Sequence, residues 1–299
     1  MPTPYWIIAP GTAVDLSRSI AVDGHAPPRD RYYLTDVTLS RATGLTWLAG
    51  FVPGSMLVKQ DVLVPAGESL RQYDRTMGDA MTQSQGIAAL VAERAVGLRV
   101  AEPPEQIVVG EILSNSRAGT ALHIGDVLER VAGRPILSPH DVALAVTALR
   151  AGTPVRVLVR RDGNRRLLAV TTMATVTGTR FGIRVERTMQ QPDLPVPVRF
   201  SLGNIAGSSG GLMFALHIYG TLCERCAQRG ALIAGTGALS PDGRVQPIEG
   251  TRQKLIAAKR AGARVFLVPR ENYPEIAAER GIRIVPVDSF HQALQALAS

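Results

Sequence analysis

The sequence predicts an α+β protein whose parts follow different rules along the chain. Three observations carry that reading. Residues 5–70 alternate short apolar runs with turn residues, residues 71–95 switch to helical spacing, and residues 176–299 alternate strand and helix patterns. The 29 Gly and 20 Pro among 299 residues require many turns, as a β-rich or mixed fold does.

In the first stretch, Tyr32–Val37, Thr46–Phe51 and Ser55–Val64 read as strands. Met77, Met81, Ile87, Leu90 and Val91 then recur at helical spacing, with Gly97 as a stop. Between 96 and 175 the pattern is β-rich again. Gln106–Ile112 is a predicted strand, Ser138–Leu149 a helix with Ser138 as N-cap and Pro139 in its first turn. Gly152–Val159 and Arg166–Thr172 form a predicted hairpin around Asp162-Gly163. In the last region Pro195–Ser201, Ala231–Leu239, Arg264–Pro269 and Ile282–Pro286 read as strands. Gly210–Thr221, Gly250–Gly262 and Ser289–Leu297 read as helices.

Composition excludes several classes. With 45% hydrophobic and 19% charged residues the chain is globular, and nothing reads as disordered or collagenous. No stretch approaches the roughly 20 apolar residues of a membrane span, and Tyr5–Ala9 is too short for a signal segment. The net charge of +8 is dispersed. Its densest cluster (Arg156, Arg160, Arg161, Arg165 and Arg166) falls on the predicted hairpin as a solvated face, without the aromatic interleaving of a nucleic-acid stripe. A weak attraction to anionic membranes is the alternative reading of that face. Cys223 and Cys226 form a CxxC near a helix end. Without a second ligand pair they do not read as zinc ligands, and they are expected to be a structural or incidental pair, with a local disulfide as the other option. His25, His123, His140 and His291 show no metal spacing, so no metal and no cofactor are expected. His217 reads as packing or surface, and Asp126 as a turn residue.

Two segments carry chemistry. In Gly207-Ser-Ser-Gly-Gly-Leu-Met-Phe, small residues precede a helix, which sets a serine beside free N–H groups at the positive end of a helix dipole. Such groups can hold a tetrahedral oxyanion; equally, Ser208 or Ser209 is an ordinary N-cap. In the helix Gly250–Gly262, at about 100° per residue, Lys254 falls among Leu255, Ala258 and Ala261, while Arg252, Lys259 and Arg260 face the other way. A lysine on an apolar face either loses its proton more readily, as a base needs, or snorkels from the rim.

Together these segments resemble the proteolytic domain of Lon peptidases. The resemblance runs through Gly207–Leu212, Gly235-Thr-Gly-Ala-Leu, Gly243-Arg-Val-Gln-Pro-Ile-Glu-Gly-Thr-Arg-Gln-Lys254-Leu, and Val265-Phe-Leu-Val-Pro with Asn272. It implies a serine endopeptidase with Ser209 as nucleophile, Lys254 as base, Thr236 holding the lysine and the Gly210 N–H in the oxyanion site. Val62–Leu90 looks like the first strands and first helix of that fold. Ala118-Gly through Ile124-Gly-Asp-Val-Leu to Asp141 looks like a bacterial PDZ domain, a module that captures extended peptides, and the resemblance suggests Gly97, Leu98 and Arg99 as its carboxylate-binding loop. The implied organisation is a protease domain split by an insertion: 1–95 and 176–299 as protease, 96–175 as PDZ.

The PDZ-containing Lon-like proteases of bacteria, which this arrangement looks like, imply further properties. These are polypeptide substrates, a homo-oligomer, and a membrane-anchored, extracytoplasmic setting whose anchor this chain lacks. No phosphate-binding loop motif occurs, so cleavage is expected to need no ATP and to favour loosely folded chains. Three positions depart from the Lon pattern: Ala206 for Asp, Ser208 for Pro and Ala238 for Glu. With the PDZ resemblance, the first two leave open a second function, a peptide-binding adaptor with an inactive or latent Lon-like domain.

Overall fold

The computed structural model describes all residues except 1, 44–45, 65–69, 177, 224–225, 227–229 and 299. The expectation that 62–70 leads into the first helix falls partly outside the described residues. The chain forms two compact units: Met1–Glu102 with Pro192–Ser299, and Pro103–Gln191. No helix among the described residues is long and apolar enough to cross a membrane.

The first unit opens with β1 (Pro2–Asp15), β2 (Ile20–Val22), β3 (Arg31–Thr43), β4 (Met56–Lys59), α1 (Gln60–Leu63) and α2 (Leu70–Ala95). Trp47–Phe51, expected as a strand, is a 3-10 turn instead, and the strand expected over Ser55–Val64 stops at Lys59. The edge beside β1 is filled by four residues of β4, and Gly50 packs against Leu57 there, which leaves no ladder for the earlier run.

The second unit holds β5 (Glu105–Ile112), β6 (Val127–Val131), β7 (Arg134–Pro135), α3 (Pro139–Thr147), β8 (Pro154–Arg161), β9 (Asn164–Thr171), β10 (Met173–Thr175), β11 (Gly178–Arg180) and β12 (Ile183–Met189). Ser138 caps α3 through a reciprocal box with Asp141. The β8–β9 turn places Asp162 and Gly163 both at positive φ, as a two-residue hairpin of this twist requires. The unit begins and ends later than 96–175. Its last strand, β12, pairs along the whole of β5 in the order β12-β5-β6-β8-β9, so residues 178–189 belong with it.

Residues 97–99 fall outside that unit. They close α2: Gly97, at φ +92°, donates its N–H to the Arg94 carbonyl, Leu98 donates to Glu93, and the Arg94 guanidinium caps the Val100 carbonyl. The carboxylate-loop assignment to Gly97, Leu98 and Arg99 is therefore wrong. The glycine serves the left-handed stop of a helix.

The first unit resumes with β13 (Val198–Phe200), α4 (Gly211–Leu222), β14 (Leu232–Gly235), β15 (Ala238–Leu239), β16 (Val245–Gln246), α5 (Thr251–Arg260), β17 (Val265–Pro269), β18 (Arg283–Val287) and α6 (Phe290–Ala298). Its main sheet runs β18-β17-β14-β3-β1-β4, with β18, β17, β14 and β3 parallel and β1 and β4 antiparallel to their neighbours. Alternation along the strands makes two cores. Leu34, Ile233 and Leu267 face α2 and α4, while Tyr33, Ala234, Phe266 and Val268 face Leu255 and Ala258 of α5. Helix α4 is buried almost all round, so its backbone is fixed to the sheet.

In the second unit Asp126 is fully buried and grips Arg161 through both carboxylate oxygens, while also accepting the His123 N–H. Burial pushes Asp126 up, but the Arg161 bonds and the His123 N–H outweigh it and hold the carboxyl below its usual range. A depressed carboxyl stabilises the fold above its unfolded pKa, and that contribution vanishes as pH falls through the folded value. Replacing Asp126 with Asn should cost about 3 kcal/mol at pH 7 by urea denaturation, because Arg161 loses a buried partner, and the deficit should shrink in strong acid.

Candidate active site

The loop before α4 is held from α2. Gly207, at φ +91°, donates its N–H to the Met77 carbonyl at 2.9 Å, and the Ser84 hydroxyl donates to the Ser208 carbonyl at 3.0 Å. Helix α4 then starts with Gly210 as N-cap and no side-chain capping bond, so its dipole end faces the loop unscreened by a side chain. A Cβ at Gly210 would lie 2.7 Å from the Phe214 ring and 2.8 Å from Leu34, which explains glycine there: the turn packs straight onto the sheet. Ser208 is exposed and Ser209 half-buried.

The opposite wall is α5. Lys254 is 4% exposed, and its Nζ lies 2.8 Å from Ser209 Oγ and 3.3 Å from Thr236 Oγ1. Thr236 is fully buried at the end of β14. Its hydroxyl donates to the Ser209 carbonyl at 3.1 Å and can take the lysine N–H in return. The Gly237 N–H reaches the same carbonyl at 2.8 Å, and the Leu212 N–H bonds to Gly237. The Ser209 backbone, the β14 end and the lysine thus form one closed network.

Burial pushes the Lys254 ammonium down to about 8, against the opposing charges of Asp36 and Glu249. Asp36 sits where β1 bulges, and its carboxylate takes the Thr12 N–H. A lysine in this state is substantially neutral near pH 8. Its free lone pair can accept the Ser209 proton.

The structure brings Ser209, Lys254, Thr236 and Gly210 together and leaves Gly97, Leu98 and Arg99 at the end of α2. Sequence reading missed Ser84, Gly237 and Asp36. Each acts through tertiary packing, and although Gly237 lies in the Gly235-Thr-Gly-Ala-Leu run, nothing local tells what its N–H binds. His217 is buried on α4, edge-on to Tyr32, with its pKa pushed down to about 4 by burial, so it packs as a neutral ring. Cys223 and Cys226 are joined as a disulfide just past the C-terminal end of α4. In the second unit, β12 is the edge of its sheet, with α3 packed beside β11 and β12. Phe181 is buried at the entrance to that strand, and Gly182 follows at positive φ.

Residues 186–297 match the family described as the Lon protease (S16) C-terminal proteolytic domain. The chain is 28% identical over 263 residues to Lon protease 2 of Herpetosiphon aurantiacus, covering 79% of this chain and 31% of that protein. It is 30% identical over 122 residues to a Lon protease of Azospirillum brasilense (39% and 15% covered) and 37% identical over 95 residues to one of Helicobacter pylori (30% and 11%). The chain thus spans less than a third of the length of these relatives. The PDZ domain of an SdrC-like protein from Listeria monocytogenes is similar at 16% identity, covering 29% of this chain and 93% of that one, with a TM-score of 0.25. Ser209, Thr236 and Lys254 all lie within the residues that match the Lon protease (S16) C-terminal proteolytic domain.

Proposed function

We propose that the chain is a serine endopeptidase that cleaves unfolded or loosely folded polypeptides with a Ser209–Lys254 dyad and without ATP. The observation that carries this reading is the 2.8 Å approach of a buried Lys254 Nζ to Ser209 Oγ. Neutral Nζ takes the hydroxyl proton as Oγ attacks the peptide carbonyl carbon. The C=O pair moves to oxygen, and N–H groups around Ser209 and Gly210 hold the oxyanion at the head of α4. Collapse expels the amine, which takes the proton from Nζ, and leaves an acyl-serine. Water, deprotonated by the same Nζ, then attacks the acyl carbon; collapse releases the acid, and the departing Ser209 Oγ takes the proton back from Nζ. No step consumes a nucleotide.

The second unit fits a PDZ-type peptide binder. A ligand strand would add to the open edge of β12, beside α3, with its carboxylate near Phe181-Gly182-Ile183 in place of the 97–99 loop. Assembly into a homo-oligomer and an extracytoplasmic, membrane-anchored setting belong to the same proposal. The Cys223–Cys226 disulfide supports an oxidising compartment.

Ser209→Ala and Lys254→Ala should each abolish casein cleavage in the absence of nucleotide, and a serine-directed probe should label the wild type but not Ser209→Ala. Full cleavage by either variant would contradict the dyad. Wild-type kcat/KM should rise with pH through an apparent pKa of about 8, because the deprotonated lysine is the active form. Asp36→Asn removes an acid that favours the ammonium, so its profile should move to lower pH. Lys254→Met should be inactive yet melt no lower than wild type, since it removes a buried amine from an apolar helix face.

A further inference from the structure

The start of α5 has no fastening of its own. Its N-cap is Gly250, without a capping side chain and with no acid in the first turn. Gly250 stands at φ +74°, and a Cβ there would lie 2.9 Å from Val37 Cγ1, so the position accepts only glycine. The first helical bond, Lys254 N–H to the Gly250 carbonyl at 3.0 Å, begins at this residue. A glycine N-cap is a compliant joint, and whatever fixes the chain just before it sets where Lys254 points.

Asn272 does the fixing. It lies in the 3-10 turn after β17 (Arg270–Glu275) and is 6% exposed. Its Oδ1 accepts the Ile248 N–H at 2.9 Å, and its Nδ2 donates to the Ile248 carbonyl, also at 2.9 Å. The second Nδ2 hydrogen goes to Glu275 Oε1 at 2.7 Å, which sets the amide's orientation. One side chain thus holds both polar groups of a residue two positions before the α5 N-cap, as a strand partner would. The platform is rigid, because Val268 before the turn and Ile276 after it are buried in the core under α5. The far end of α5 is tied to the same stretch of chain by the Lys259–Glu279 pair at 2.6 Å.

We infer that Asn272 is a positioning residue for Lys254: its two bonds to Ile248 set the register of α5 that holds Nζ against Ser209. The inference rests on the dyad reading of Ser209 and Lys254. Misplacing a base by an ångström costs rate rather than binding, so the effect should fall on kcat.

The experiment compares Asn272→Ala with Glu279→Gln, which loosens the other end of the same helix, in casein cleavage, probe labelling and thermal melts. Asn272→Ala should lower kcat at least about tenfold with KM within about twofold, and slow labelling of Ser209 by the same factor. Glu279→Gln should keep kcat within about twofold even where its melting temperature falls as far. Asn272→Asp, which keeps the acceptor for the Ile248 N–H but loses the donor, should remain folded with kcat at least about threefold below wild type. A folded Asn272→Ala or Asn272→Asp with wild-type kcat overturns the inference, as does a kcat loss in Glu279→Gln equal to that in Asn272→Ala. Ser209→Ala in the same assay separates the two readings. If it is inactive beside a fully active Asn272→Ala, only the positioning role fails; if it is active, both fail.

Discussion

Lys254 sets the conditions for the rest of the site. An ammonium with 4% of its surface exposed is costly to fold around, and burial answers that cost by loosening its proton. The same burial that weakens the fold at this point gives a base its use. It works only because two oxygens, Ser209 Oγ and Thr236 Oγ1, stand within bonding distance, and because Asp36 and Glu249 oppose the desolvation. Remove the acids and the lysine shifts further towards neutrality. Open the cavity to water and it returns to an ordinary surface amine.

The frame that carries this lysine is the two-faced sheet of the first unit. Its strands send alternate side chains to opposite cores, with α4 on one face and α5 on the other. Ser209, at the head of α4, and Lys254, on α5, are therefore carried by elements on opposite faces of the sheet. They meet where β14 ends, at Thr236 and Gly237, whose polar groups bind the Ser209 carbonyl directly. An α4 buried almost all round holds the serine side in place, and α2 adds the Ser84 and Met77 bonds to the loop in front of it. The lysine side depends on a glycine-started helix, so its precision has to come from elsewhere in the chain.

Much of this was legible in the sequence because it is written in local patterns. The helical spacing of α2, the Ser138 cap of α3, the Asp162-Gly163 turn and the apolar placement of Lys254 all depend on residues close together in the chain. What was not legible depends on contacts over long separations. Trp47–Phe51 has strand-like composition, yet β4 occupies the edge it would need. Gly97 carries the same signal whether it stops a helix or opens a binding loop, and only the bonds to Glu93 and Arg94 decide. The second unit extends to Gln191 because β12 pairs with β5, a partnership of residues some 75 positions apart that no window along the chain can see. Of the site itself, Ser209 and Lys254 were candidates from motif and periodicity, and the structure sets their side chains 2.8 Å apart, while the bonds of Ser84, Asp36 and Gly237 are tertiary contacts that a local pattern does not record.

The central claim is that Lys254 rests beside Ser209 as an amine that gives up its proton near neutrality. The direct test is an NMR titration of the lysine side chains with ¹³C-labelled ε-carbons, with Lys254 assigned by its loss in Lys254→Met. One lysine should titrate near pH 8, shifted from the ordinary value of 10.5. A Lys254 that titrates at its ordinary value in the folded protein would contradict it.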